Sequence, residues 1–187
     1  MRRLLRFLVP RSRKPAVVLP DVSRPPSFNE EAGYRAFLAS VLDGQSDAVM
    51  RKLHAAMDRL PREARELQVV VFFGQEEDGC FRVFLRVDGT DLHVLNTAIK
   101  EYATLFEGRA FTTADAVGNV PQFDPIGVPF DLSVAITEEC FDWMERVWGR
   151  MSVPDGSLPI SLVSDDGYGG LVLFPRKLTR SEAAHAD

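Results

Sequence analysis

An alternation of apolar and polar residues between positions 67 and 87 constrains the fold more than any other feature of the chain. Residues 67–73 are mostly β-branched or aromatic, and in residues 81–87 every second residue is apolar. A polar stretch that contains the turn pair Asp78-Gly79 separates the two runs. Period-two alternation beside a turn pair predicts a β-hairpin with one buried face.

Helical periodicity precedes and follows this hairpin. The spacing of Ser27 and Glu30 predicts a capping box, and Ser46 or Asp47 predicts the cap of a second helix. A third helix is predicted over residues 92–106, and a fourth begins after Thr137 as its cap. The predicted apolar stripes share the spacing of one buried helix face: Tyr34, Phe37, Leu38, Val41 and Leu42; Val49, Leu53, Ala56, Met57 and Leu60; Leu92, Leu95, Ile99, Tyr102 and Phe106; Cys140, Met144, Val147, Trp148 and Met151.

Three further strands complete the predicted pattern. They cover residues 128–136, 158–163 and 171–174, and a glycine-rich turn at 164–170 joins the last two. The resulting order is α-α-β-β-α-(loop)-β-α-β-β, in which hairpins and helices are clustered. We therefore predict an α+β fold, with an antiparallel or mixed sheet of about five strands and helices packed on it.

The 187 residues fit a single domain with two terminal segments. Residues 1–26 are basic and rich in proline, residues 27–176 are predicted to form one α+β domain, and residues 177–187 form a polar tail. Six of the 22 basic residues lie in the first fourteen positions, which leaves 16 basic and 27 acidic residues elsewhere, a formal charge of −11. This charge argues against nucleic-acid binding and suits a basic protein partner.

The same composition bears on location. The N-terminal arm lacks the long apolar run of a secretory leader, and no segment reaches the length of a transmembrane span. The two cysteines do not form a disulfide framework. A cytoplasmic location is expected, and weak contact of the arm with a membrane surface stays open.

Known patterns of catalytic and cofactor sites do not occur in the sequence. The three histidines lack a diagnostic neighbourhood, Cys140 falls on an apolar helix stripe, and metal-ligand spacings are missing. The glycine-rich turn at 164–170 precedes a strand, whereas phosphate loops precede a helix. We expect no cofactor and no metal, and the sequence favours a non-enzymatic role over an enzymatic one.

Two surfaces are candidates for binding a partner. The hairpin face opposite the apolar stripe mixes arginine with phenylalanine, as protein interfaces do, unless the protein's own helices cover both faces. The turns at the ends of the strands are acidic, although solvation alone accounts for acidic turns. Together they give these candidate residues: Glu76, Glu77, Asp78, Arg82, Phe84, Asp165, Asp166 and Tyr168.

Three functional hypotheses follow. The leading one is a non-enzymatic bacterial protein that binds another protein, of the inhibitor or immunity type. The alternative is an enzyme or small-ligand-binding domain with a pocket formed by the 107–127 loop and the 164–170 turn. The third is a homodimer that associates through the Arg82 and Phe84 face.

Overall fold

The computed structural model describes residues 28–73, 79–110, 119–121, 123, 129–153, 157–165 and 175–178. Within these ranges the chain forms helices and strands in the order ααββαβββαββ. The helices are α1 (Glu31–Asp43), α2 (Ser46–Met57), α3 (Leu92–Ala98) and α4 (Leu132–Gly149). The strands are β1 (Ala64–Phe73), β2 (Phe81–Gly89), β3 (Thr104–Glu107), β4 (Arg109–Ala110), β5 (Asn119–Val120), β6 (Ile160–Asp165) and β7 (Arg176–Leu178).

A five-stranded mixed sheet with the order β3-β2-β1-β6-β7 organises the fold. The central pair, β1 and β6, is parallel, and the other neighbours in this sheet are antiparallel. Strands β4 and β5 form a separate two-stranded parallel pair. The α+β fold class and the hairpin of β1 and β2 are confirmed, and the predicted element order matches only roughly.

One face of the sheet, called the inner face, carries the core. In β2 it presents Phe81, Val83, Leu85 and Val87, the residues that the alternation predicted. Each helix adds buried residues to the same apolar cluster, for example Tyr34, Leu53, Leu95 and Phe141. The sequence therefore places both the helices and the apolar half of each central strand in one core.

Helices α1 and α4 run in the same direction across this core. Arg35 contacts Glu138 at 2.5 Å, and Arg146 contacts Asp43 at 3.2 Å. Both pairs are 103 residues apart, and a constant separation means that the two helices advance together. The same helix α4 also contacts the start of α2, where the buried Trp143 Nε1 donates a hydrogen bond to Ser46 Oγ at 3.0 Å.

The predicted strand over residues 128–136 is wrong, because α4 already begins at Leu132. The cap is Asp131, whose Oδ1 accepts a hydrogen bond from Val134 N at 3.0 Å, and Thr137 lies fully buried inside the helix. Leu132 and Ile136 fit a period of two and also the i, i+4 spacing of a helix face. The segment forms a helix because the Asp131 carboxylate caps the N-terminus of α4 and because neighbouring helices pack against it.

The predicted third helix is too long, since α3 ends at Ala98 and residues 104–107 form β3. Phe106 pairs with Val83 across the β2–β3 ladder, and its ring stacks on Phe81 with centroids 5.3 Å apart. This contact with a distant strand overrides the local helical spacing. Leu92, predicted to be buried, is 54% exposed.

The predicted caps of the first two helices also differ from the structure. Glu30 occupies the N-cap of α1 without a side-chain cap bond, and Gln45 rather than Ser46 or Asp47 occupies that of α2. Ser27 and the predicted strand 171–174 lie outside the described residues. Ser46 is diverted from capping by its bond to Trp143.

Candidate protein interface

The face of the sheet that points away from the helices is the candidate functional site. Strand register arranges its residues in three rows that run across β2, β1 and β6. We call this the outer face, and it consists of Arg82, Phe72 and Asp165; Phe84, Val70 and Val163; and Arg86, Gln68 and Ser161. Because side chains alternate along a strand, all nine point away from the core.

The middle of the outer face is apolar. Val70 lies opposite Phe84 in the β1–β2 ladder and two residues before Phe72. The two phenylalanine rings are half-buried and meet edge to face, with centroids 6.4 Å apart. Val70 is only 1% exposed and Val163 8%, yet neither belongs to the core cluster that contains the helices. The rings therefore form the accessible apolar part of this face.

Charged groups of both signs surround the two rings. Arg82 is 63% exposed, and its Nε lies 3.8 Å from Glu107 Oε1, a loose ion pair. Arg86 is exposed, and its Nε donates to Gln68 Oε1 at 2.9 Å. Asp165 lies at the other end of the row that contains Arg82. An apolar centre with arginines and a carboxylate at its rim is typical of protein interfaces.

The structure brings together part of the predicted partner surface. Arg82, Phe84 and Asp165 lie on the outer face, whereas Glu76, Glu77, Asp78, Asp166 and Tyr168 lie outside the described residues. The sequence assigns Asp165 to a separate acidic surface, but the parallel pairing of β1 with β6 puts it in the same row as Arg82. Gln68, Ser161 and Val163 were missed, and alternation along β1 and β6 was the signal that could have found them.

The described part of the 107–127 loop contributes to the core. Val120 and Pro121 are buried, and the ring of Phe123 meets that of Tyr34 edge to face at 5.4 Å. Gly79, with a φ of 91°, lies against this segment, and a Cβ there would approach Pro121 O to 2.8 Å. The tight fit shows that the loop and the hairpin end are packed together, so these residues serve the fold.

Two buried hydroxyls lie between α1 and α4. Tyr34 Oη and Thr137 Oγ1 have no hydrogen-bond partner among the described residues. Burial raises the pKa of the Tyr34 hydroxyl well above its usual value, and the neighbouring Cys140 and Cys80 raise it further. Burial also raises the pKa of the Cys140 thiol, followed by the effect of Glu139. Neither group is ionised near neutral pH, so neither is an activated nucleophile.

We expect Tyr34→Phe to raise the free energy of unfolding by about 1 kcal/mol, because it removes a buried hydroxyl that has no partner. Urea denaturation of the variant and the wild type measures this. Tyr102→Phe, at a half-buried position, is the matched control and should leave stability nearly unchanged. A clear loss of stability in Tyr34→Phe would mean instead that the hydroxyl binds a ligand or a buried water.

Two negative findings apply to the described residues alone. They include no group of three or more histidine, cysteine or acidic residues placed to bind a metal ion. The helices among them are also too short or too polar to cross a lipid bilayer.

The fold and the site together define the class of protein: an α+β domain whose mixed sheet has one face against helices and one face of aromatic and charged residues. The chain belongs to DUF6389, a family of unknown function whose model matches residues 29–174. No curated protein and no solved structure shows significant similarity to the chain.

Proposed function

We propose that this chain is a non-enzymatic protein-binding domain and that a protein partner docks on the outer face. The observation that carries the proposal is the pair of half-buried rings, Phe72 and Phe84, flanked by the exposed Arg82 and Arg86. Aromatic and arginine side chains supply most of the binding energy in protein interfaces. On a sheet face that contacts only water, the outward-pointing residues are usually polar instead.

The position of the helices on one face of the sheet supports the same role. All four helices contribute to the inner core, so the helices of the described residues do not occupy the outer face. Truncating Phe72 or Phe84 removes apolar area that a partner would bury, at roughly 25 cal/mol per Å². A rigid sheet also holds the two rings in place before binding, which lowers the entropy cost of association.

The kind of partner follows from charge and size. The chain is small, and outside its first fourteen residues it carries a formal charge of −11. Such a body attracts basic proteins over several ångströms and disfavours nucleic acids. These properties suit a bacterial cytoplasmic protein of the inhibitor or immunity type, which acts by covering a surface of another protein.

Oxidative footprinting tests the proposal whatever the identity of the partner. Hydroxyl radicals label accessible phenylalanine rings, and mass spectrometry reports labelling at each residue. In the native cell, labelling of Phe72 and Phe84 should fall several-fold relative to dilute purified protein. Leu92 and Val94, which are 54% and 57% exposed on α3, serve as internal controls and should keep their labelling. Equal labelling of both rings in the two samples would overturn the proposal.

A further inference from the structure

Arg86 differs from the other charged groups of the outer face because no carboxylate of the described residues pairs with it. Arg82 already lies beside Glu107, and Asp165 already interacts within the chain. Arg86 is exposed, and the hydrogen bond that its side chain forms runs from Nε to the neutral Oε1 of Gln68. The positive charge of Arg86 is therefore not compensated at contact distance.

A chain of hydrogen bonds orients this guanidinium group. Gln68 lies opposite Arg86 in the β1–β2 ladder, and its Nε2 donates to Glu66 Oε2 at 3.2 Å. Because a carboxylate only accepts hydrogen bonds, the amide nitrogen faces Glu66, and the Gln68 oxygen accepts from Arg86 Nε at 2.9 Å. The two terminal nitrogens of Arg86 carry no hydrogen bond to a described residue. They are available to bind a carboxylate through two parallel hydrogen bonds.

The accessible apolar part of the outer face lies beside Arg86. Phe84 precedes Arg86 by two residues on β2, so the two side chains point to the same side and start about 7 Å apart. The ring of Phe84 contacts that of Phe72 edge to face. A ligand that covers the two rings can therefore place a second side chain at the guanidinium group.

We propose that the partner binds the outer face through an apolar side chain on the rings of Phe72 and Phe84 and an acidic side chain on Arg86. This inference rests on the proposed function, because it names the chemistry that the same face selects. In an extended segment of the partner, side chains two residues apart have this spacing of about 7 Å. The acidic body still attracts basic proteins at long range, and Arg86 selects the group at the contact.

The orientation of Arg86 favours this role over simple solvation. The loss of side-chain freedom is a main cost of an exposed ion pair. The bond to Gln68 already restricts Arg86, so a ligand carboxylate meets less of that cost. Arg51, exposed on α2, has no such bond and no ring contact among the described residues, and is the matched control.

A random peptide library displayed on phage tests the inference without knowledge of the partner. The wild type should enrich peptides in which an acidic residue lies two positions from a large apolar residue. Arg86→Gln should lose the acidic preference and keep the apolar one, whereas Arg51→Gln should select as the wild type does. An acidic preference that persists in Arg86→Gln, or that is missing in the wild type, overturns the inference.

An enriched peptide then allows a double-mutant cycle by fluorescence anisotropy. Replacing its acidic residue with the corresponding amide should weaken binding to the wild type about tenfold and binding to Arg86→Gln by less than about twofold. Arg86→Lys keeps the charge but loses the planar fork, and should recover only part of the affinity. Equal losses on the wild type and on Arg86→Gln would contradict the contact.

Phe84→Ala separates this inference from the proposed function. Enriched peptides that need Phe84 but have no acidic preference would leave the outer face as a binding surface and overturn the inference alone. A selection in which no enriched peptide depends on Phe84 would contradict both.

Discussion

Replacing Trp143 with alanine is expected to lower the free energy of unfolding by about 3–5 kcal/mol. The indole is fully buried at the junction of α4 with the sheet and with α2. Its ring meets Phe106 edge to face with centroids 6.3 Å apart, and its Nε1 donates to Ser46 Oγ. The substitution removes a large apolar volume and leaves a cavity that the surrounding helices can fill only in part. Chemical denaturation measures the change directly.

Two further variants separate packing from hydrogen bonding at this position. Ser46→Ala keeps the ring and leaves the buried indole N–H without an acceptor, which costs about 1–3 kcal/mol. Leu92→Ala truncates an exposed apolar side chain and should change stability by less than about 0.5 kcal/mol. An alanine at Trp143 that destabilises no more than Ser46→Ala would contradict the packing described for α4.

The local part of the fold could be predicted from the sequence. The hairpin of β1 and β2 follows from alternation on both sides of a turn pair, and the predicted inner residues of β2 are buried. Short-range signals are sufficient there because the partners in the ladder are near one another in the chain. The buried stripe of α2, with Val49 and Leu53, follows from helical spacing for the same reason.

The remaining elements depend on contacts that no local pattern contains. Phe106 becomes part of a strand because it pairs with Val83 and stacks on Phe81, over twenty residues away. The start of α4 was ambiguous because Leu132, Val134 and Ile136 fit a strand and Leu132 and Ile136 also fit a helix face. Asp131, the actual cap, was the signal that could have resolved this ambiguity.

The candidate site shows the same division between local and distant information. Alternation within β2 places Arg82 and Phe84 on one face, so these two residues could be predicted to be neighbours. Asp165 joins them only through the parallel pairing of β1 with β6, and its register partner is Phe72. A parallel pair of distant strands has no local turn to set its register. The rows that cross β2, β1 and β6 could therefore be recognised only in the structure.

The second large effect is expected at the outer face itself. Phe84→Ala should weaken partner binding about 30-fold or more, the loss of about 2 kcal/mol that defines a hot-spot residue. The half-buried ring lies in the middle row of the face, opposite Val70 and in edge-to-face contact with the ring of Phe72. Because all four helices contribute to the other face, the variant should keep its fold, which circular dichroism and thermal unfolding verify. Val94→Ala removes an accessible apolar side chain from α3 and is the matched control.

Quantitative affinity capture at low salt from the native cell is the most direct measurement of whether the outer face binds protein. Wild type, Phe84→Ala and Val94→Ala serve as baits, each expressed beside an untagged copy of the chain. Wild type and Val94→Ala should recover the same partner, either another protein or the untagged copy, and Phe84→Ala should recover less than a tenth as much. Equal recovery by all three baits, or no partner above background for the wild type, would contradict the assignment of the outer face as a protein interface.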